Sequence, residues 1–168
     1  PTITGTTDEP AGSVVEITIT DKDGNTQTVS TLVKEDGTYS VDVPTALPEG
    51  GFTVTGKVTD PVGNTTTATD QGTVDTVPPV INIDGPIATD DILNLIESGN
   101  PLLVTGTTDA EDGQIVSVTL GSETYTTTVS GGTWSVIVPA EGLSQLPQGP
   151  VDVTANVSDK AGNPAVEA

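Results

Sequence analysis

Carboxylates are the only side chains this sequence supplies in number for chemistry. Asp and Glu total 24, against 4 lysines and no arginine, histidine or cysteine, and the formal net charge is −20. Nucleophilic hydrolysis lacks its parts, because no serine has a plausible base beside it. Paired carboxylates can cleave glycosidic bonds, but such sites need a cleft and usually aromatic platforms. The chain has one Trp, two Tyr and one Phe. No glycine-rich loop has phosphate-binding spacing. Catalysis is therefore not expected. A surface of this sign repels nucleic-acid phosphates and anionic membranes. No stretch reaches the roughly 18 apolar residues of a membrane span. What the surface attracts is cations. Two carboxylates about 5 Å apart repel by roughly 1 kcal/mol in water and by several times that at a lower effective dielectric. A hard divalent ion with about 6–8 oxygen ligands removes that repulsion.

The acidic residues lie between runs rich in Val, Ile and Thr that alternate in polarity, the pattern of strands and turns and not of a disordered acidic chain. Four blocks recur in the same order. Ile3-Thr4-Gly5-Thr6-Thr7-Asp8 returns as Val104-Thr105-Gly106-Thr107-Thr108-Asp109. Gly37-Thr38-Tyr39-Ser40-Val41 returns as Gly132-Thr133-Trp134-Ser135-Val136. Leu47-Pro48-Glu49-Gly50 returns as Leu146-Pro147-Gln148-Gly149. Val58-Thr59-Asp60-Pro61-Val62-Gly63-Asn64 returns as Val157-Ser158-Asp159-Lys160-Ala161-Gly162-Asn163. The repeat predicts two domains, 1–75 and 76–168.

In the second, strands are predicted at 80–84, 102–108, 115–120, 124–130, 133–138, 151–158 and from 165 onward. Residues 89–99, opening on cap-type residues and ending on Gly99, read as helical, as does the short segment 140–146. About seven short strands per unit give the expected fold: all-β, two tandem Ig-like Greek-key β-sandwich domains in an extended rod, with short helical turns in loops of the second. Trp134 and its counterpart Tyr39 are expected in the cores. The first repeat begins at the equivalent of the second strand, so its first strand is truncated or supplied in another way. Pro78-Pro79 makes the junction short and stiff. With no cysteine, no disulfide reinforces these small domains.

This topology positions the carboxylates. Alternate loops fall at one pole of a sandwich, so Asp109, Glu111 and Asp112 are expected to meet Asp159, with Asp75 in the linker above, as a candidate metal site at the joint. The equivalent set in the first repeat is Asp8, Glu9 and Asp60. Asp84, Asp90 and Asp91 could form a second site at the opposite pole. The competing explanation is that Asp, Gly and Asn occur here because turns favour them, and Asp90 could serve as a helix cap. Asp21-Lys22-Asp23-Gly24-Asn25 looks like the start of an EF-hand loop, but its twelfth position is Leu32, so a hairpin turn is expected. The threonine runs 65–67 and 126–128 are ascribed to strand propensity and not to a surface-binding array.

Several motifs together resemble the bacterial Ig-like repeats of giant type I-secreted, RTX-type adhesins and biofilm-associated surface proteins. They are Asp75-Thr76-Val77-Pro78-Pro79, Thr89-Asp90-Asp91-Ile92-Leu93-Asn94, Gly106-Thr107-Thr108-Asp109-Ala110-Glu111-Asp112-Gly113, Gly132-Thr133-Trp134 and Ser158-Asp159-Lys160-Ala161-Gly162-Asn163. The resemblance covers the second repeat more closely than the first. It implies a calcium-stiffened extender on the bacterial cell surface, monomeric, whose partners are neighbouring repeats of the same chain and which projects an adhesive domain for attachment or biofilm formation. A ligand- or carbohydrate-binding Ig-like module, or a spacer of a secreted enzyme, is the alternative.

Overall fold

A computed structural model describes residues 1–166. The backbone divides into two compact units, Pro1–Asp75 and Thr76–Ala168, and every strand pairing within them is antiparallel.

In the first unit β1 (Thr2–Thr6) pairs with β4 (Thr38–Asp42), and a second sheet runs β3 (Thr26–Leu32), β2 (Val14–Asp21), β5 (Gly50–Thr59), β6 (Thr65–Val74). Period-two alternation decides which faces meet. Val15, Ile17 and Ile19 of β2 are almost fully buried and pack with Val33 and Val58 against Ile3, Tyr39 and Val41 of the smaller sheet. The opposite face of the larger sheet is threonine: Thr28, Thr18, Thr55 and Thr69 stand side by side across its four strands. Their hydroxyls meet in pairs at 3.4 Å. Between β2 and β3, Asp21 to Asn25 forms the hairpin turn the sequence predicts.

In the second unit β7 (Ile81–Ile83), β8 (Leu102–Thr108) and β11 (Thr133–Val138) form one sheet in the order β11-β8-β7. The strands β9 (Ile115–Leu120), β10 (Glu123–Thr128) and β12 (Val153–Val157) form the other, in the order β10-β9-β12. Val104, Val116, Val118, Val138 and Trp134 lie in the shared core. Trp134 sits opposite Gly106 in the β8–β11 register. A Cβ on Gly106 would collide with the indole and with the carbonyl of Asn82 on β7, so the tryptophan and the close approach of β7 both require glycine there. Tyr39 faces Gly5 in the same way.

The segment 89–99 departs from the expected helix. Two 3-10 turns, Ile87–Thr89 and Glu97–Gly99, flank an irregular stretch. Asp91 adopts a left-handed φ of 62°, as does Ala88 at 51°. Short polar side chains there bind local backbone instead of letting a helix propagate: Ile92 N–H donates to Asp90 Oδ1 at 3.0 Å and Ile87 N–H to Asp91 Oδ1 at 2.8 Å. The second helical segment is present as α1 (Ala140–Leu143). Past β12, Ser158 bridges Pro164 and Ala165 is buried in the core. The rest of the strand expected from 165 extends outside the described residues.

Candidate metal centre

The second unit gathers four of the expected ligands at one end, and hydrogen bonds show how. The loop from Asp109 to Gly113 joins β8 to β9. Asp109 Oδ1 accepts the N–H of Val80 at 2.6 Å, while the carbonyl of Val80 accepts from Thr108 Oγ1 at 2.7 Å. Asp109 and Thr108 thus clamp the chain just before β7. Glu111 Oε2 accepts the N–H of Lys160 at 2.9 Å, which ties this loop to the turn after β12. Asp112 Oδ1 accepts the N–H of Gly131 at 2.7 Å, tying it to the turn before β11.

Asp159 is the organiser of its own turn. Its Oδ1 accepts the N–H of Asn163 and its Oδ2 the side-chain amide of Asn163, both at 2.8 Å. Its backbone N–H donates to the carbonyl of Asn163 at 3.1 Å, and Gly162, at φ 95°, donates back to its carbonyl. Asp60 with Asn64, and Asp21 with Asn25, repeat this arrangement. Three copies of Asp-x-x-Gly-Asn therefore build one self-contained turn. Hydrogen bonds to the charged form, from the asparagine side chain first, hold Asp21, Asp60 and Asp159 below the usual carboxylate range. Sequence reasoning took Asp60 and Asp159 only as ligand candidates and missed this role. The signal was present, because the same five-residue spacing recurs at the β2–β3 hairpin, away from any expected site.

The remaining candidates are placed singly. Asp8 is exposed just after β1, beside Thr7, whose Oγ1 accepts the N–H of Glu9 at 3.3 Å. Asp75 is exposed at the end of the first unit. Asp84 Oδ2 accepts the hydroxyl of Thr105 at 2.8 Å. Asp90 forms a local turn and caps no helix, and Asp91 turns back on Ile87.

The donor chemistry suits an oxygen-ligated cation in one respect and falls short in another. No lysine pairs with Asp109, Glu111, Asp112 or Asp159 among the described residues, and the first three each spend one oxygen on a backbone N–H and have a second beside it. No three carboxylates among the described residues are drawn together closely enough to enclose a metal ion. The loops are thus tied to one another through backbone, with the carboxylates at one end of the unit. No helix among the described residues is long and apolar enough to cross a membrane.

Residues 1–76 match the model of the bacterial Ig-like domain family. Among solved structures, the chain is similar to a Ca2+-stabilized adhesin with which an Antarctic bacterium reaches out and binds ice. The identity is 31% over 99% of this chain and 41% of that one, with a TM-score of 0.53. A 1.5-MDa bacterial ice-binding adhesin studied for its retention at the host cell surface is 32% identical over 99% of this chain and 54% of that one, at a TM-score of 0.50. A bacterial immunoglobulin-like domain of the M. primoryensis ice-binding adhesin is 34% identical over 52% of this chain and 86% of its own, at a TM-score of 0.40. The chain thus spans about half or less of the length of the first two. A search of the curated proteins found no match.

Proposed function

This chain belongs to the bacterial Ig-like domain family, and from that premise we propose that it is a non-catalytic extender module of a bacterial cell-surface adhesin. Each of its two units serves as one repeat, and calcium stiffens them. The observation that carries this reading is likeness along 99% of the chain to surface adhesins, one of them Ca2+-stabilized. The partners of such a module are neighbouring Ig-like repeats of the same polypeptide, and its place is the exterior of the bacterium, where it holds an adhesive domain away from the cell for attachment or biofilm formation.

The calcium ligands we propose in the second unit are Asp109, Glu111 and Asp112, with Asp159 shaping the turn beside them. Asp75, Asp8 and Asp60, and Asp84, Asp90 and Asp91, are carried into the proposal from the sequence alone. Calcium supplies charge neutralisation here. The chain's own residues fix the loops: Asp109 holds Val80, Glu111 holds Lys160 and Asp112 holds Gly131, so an ion drawn to the second carboxylate oxygens would bear on three connections at once. Extracellular calcium modules bind at about 10⁻⁴ to 10⁻³ M. Calcium at tenfold to hundredfold excess then adds about 1.4 to 2.7 kcal/mol per site, a large share for a small disulfide-free domain.

The experiment is calorimetric titration of calcium into the chain and into a variant carrying Asp109→Asn, Glu111→Gln and Asp112→Asn. The amides keep an oxygen acceptor for each backbone N–H and lose the charge. Binding in the parent and none at those sites in the variant supports the assignment. Equal binding in both moves the calcium elsewhere, and no binding in either removes it from the reading.

A further inference from the structure

The two units differ at one edge. In the second, β8 is flanked on both sides, by β11 and by β7. In the first, β1 pairs with β4 alone. The outer edge of β1 therefore presents unpaired backbone groups, the template on which another strand adds. Beside that edge lies an apolar cavity of about 270 Å³, lined by Ile3, Ile17, Tyr39, Phe52, Val54 and Ala68 among others. It opens on the flank of the sandwich between β1 and the β5–β6 edge. In the second unit the matching place is filled. There β7 pairs with β8 and lies beside β12, and it sends Ile81, 5% exposed, into the core. The contrast reaches the aromatic pair: Trp134 is 3% exposed, whereas Tyr39 is only partly buried.

We infer that the flank of the first unit is a strand-acceptor groove whose occupant is an extended segment of this polypeptide, entering ahead of β1 as β7 enters ahead of β8. The repeat fixes the register. Because Gly5, Thr6 and Thr7 correspond to Gly106, Thr107 and Thr108, the incoming strand runs antiparallel to β1, with aliphatic residues opposite Thr7 and Gly5 and a polar one between, as Ile81, Asn82 and Ile83 do. The anchoring groups are already in position. Thr108 Oγ1 donates to the carbonyl of Val80 and Asp109 Oδ1 accepts its N–H. Their counterparts are Thr7 and Asp8. The Thr7 hydroxyl oxygen accepts from Glu9 N–H just as that of Thr108 accepts from Ala110 N–H, which leaves the Thr7 hydroxyl proton for the incoming carbonyl. Asp8 is thereby assigned to hold the backbone of the entering strand.

The test is hydrogen exchange and thermal melting of the full chain with a copy of residues 79–101 fused directly before Pro1. This reproduces the connection that joins β7 to β8. The control carries the same extension with its copied Ile81 and Ile83 changed to Asp. The groove predicts that amides of residues 2–8 exchange at least about tenfold more slowly with the native extension than with the control. It also predicts that the earliest melting transition rises, and that Asp8→Ala with Thr7→Val returns most of that protection. Equal exchange with the two extensions would overturn the inference. So would finding the unextended chain already protected there and sedimenting as a dimer, since a second copy would then be the occupant.

Discussion

Asn163 closes on Asp159 twice, through its backbone N–H and through its side-chain amide, both at 2.8 Å. Asn64 does the same to Asp60, at 2.7 Å for each bond. The asparagine is the only residue of the turn that satisfies both carboxylate oxygens, so the Asp-x-x-Gly-Asn spacing works as a unit.

Replacing the asparagine should therefore cost more than its exposure suggests. Asn163→Ala removes the side-chain bond to Oδ2 of a carboxylate in a largely buried residue, 9% exposed, and loosens the turn that Glu111 grips through Lys160. We expect the transition of the second unit to fall by a few degrees, with a smaller fall for Asn25→Ala in the exposed β2–β3 hairpin. Differential scanning calorimetry of the three alanine variants checks the order.

Acid should act through the same turns. Asp60 and Asp159 have lowered pKa values in the fold, chiefly because the asparagine amide binds their charged form. Their contribution is present above the unfolded carboxylate value, about 3.9, and is lost as pH falls through the lower folded value, because below it both states hold the proton. Protonating the other carboxylates relieves repulsion at the same time, so the informative quantity is a difference. The melting-temperature gap between the parent chain and Asn64→Ala/Asn163→Ala should be widest near neutral pH and narrow below about pH 4. A gap that is constant down to pH 2 would assign the loss to the backbone turn and not to the carboxylates.

Much of this fold was legible in the sequence. Alternating Val, Ile and Thr placed β8, β9 and β11 to the residue, and the Gly-Thr-Tyr and Gly-Thr-Trp blocks marked the aromatic opposite a glycine. The failures share a cause. Short polar side chains bind nearby backbone, and one pattern of Asp, Asn and Gly serves a cap, a turn or a ligand set equally well. Asp90 and Asp91 suggested a helix start and made turns, with Asp91 at a left-handed φ. Asp159 suggested a ligand and spends both its oxygens on Asn163. Partner identity at the level of single oxygens depends on loop conformation, which strand periodicity does not encode.

The glycine facing Trp134 gives a sharp packing prediction. Gly106→Ala would force the new methyl into the indole and the Asn82 carbonyl, where β7 is backbone and cannot yield as a flexible side chain would. Overpacking of this kind costs about 1–3 kcal/mol. Trp134→Ala, which empties the site, costs about 3–5 kcal/mol. Urea titrations followed by far-ultraviolet circular dichroism should rank them in that order. Gly5→Ala, whose methyl meets only the Tyr39 side chain, should cost less than Gly106→Ala.

The central claim is that calcium holds the acidic loops, and a thermal melt in millimolar calcium, repeated in chelator and in magnesium, tests it most directly. The account predicts a higher melting temperature in calcium than in chelator, a smaller rise in magnesium, and no calcium-specific rise once Asp109→Asn, Glu111→Gln and Asp112→Asn are combined. A parent chain that melts at the same temperature in calcium and in chelator would contradict it, and the carboxylates would then be turn-forming and loop-tying residues alone.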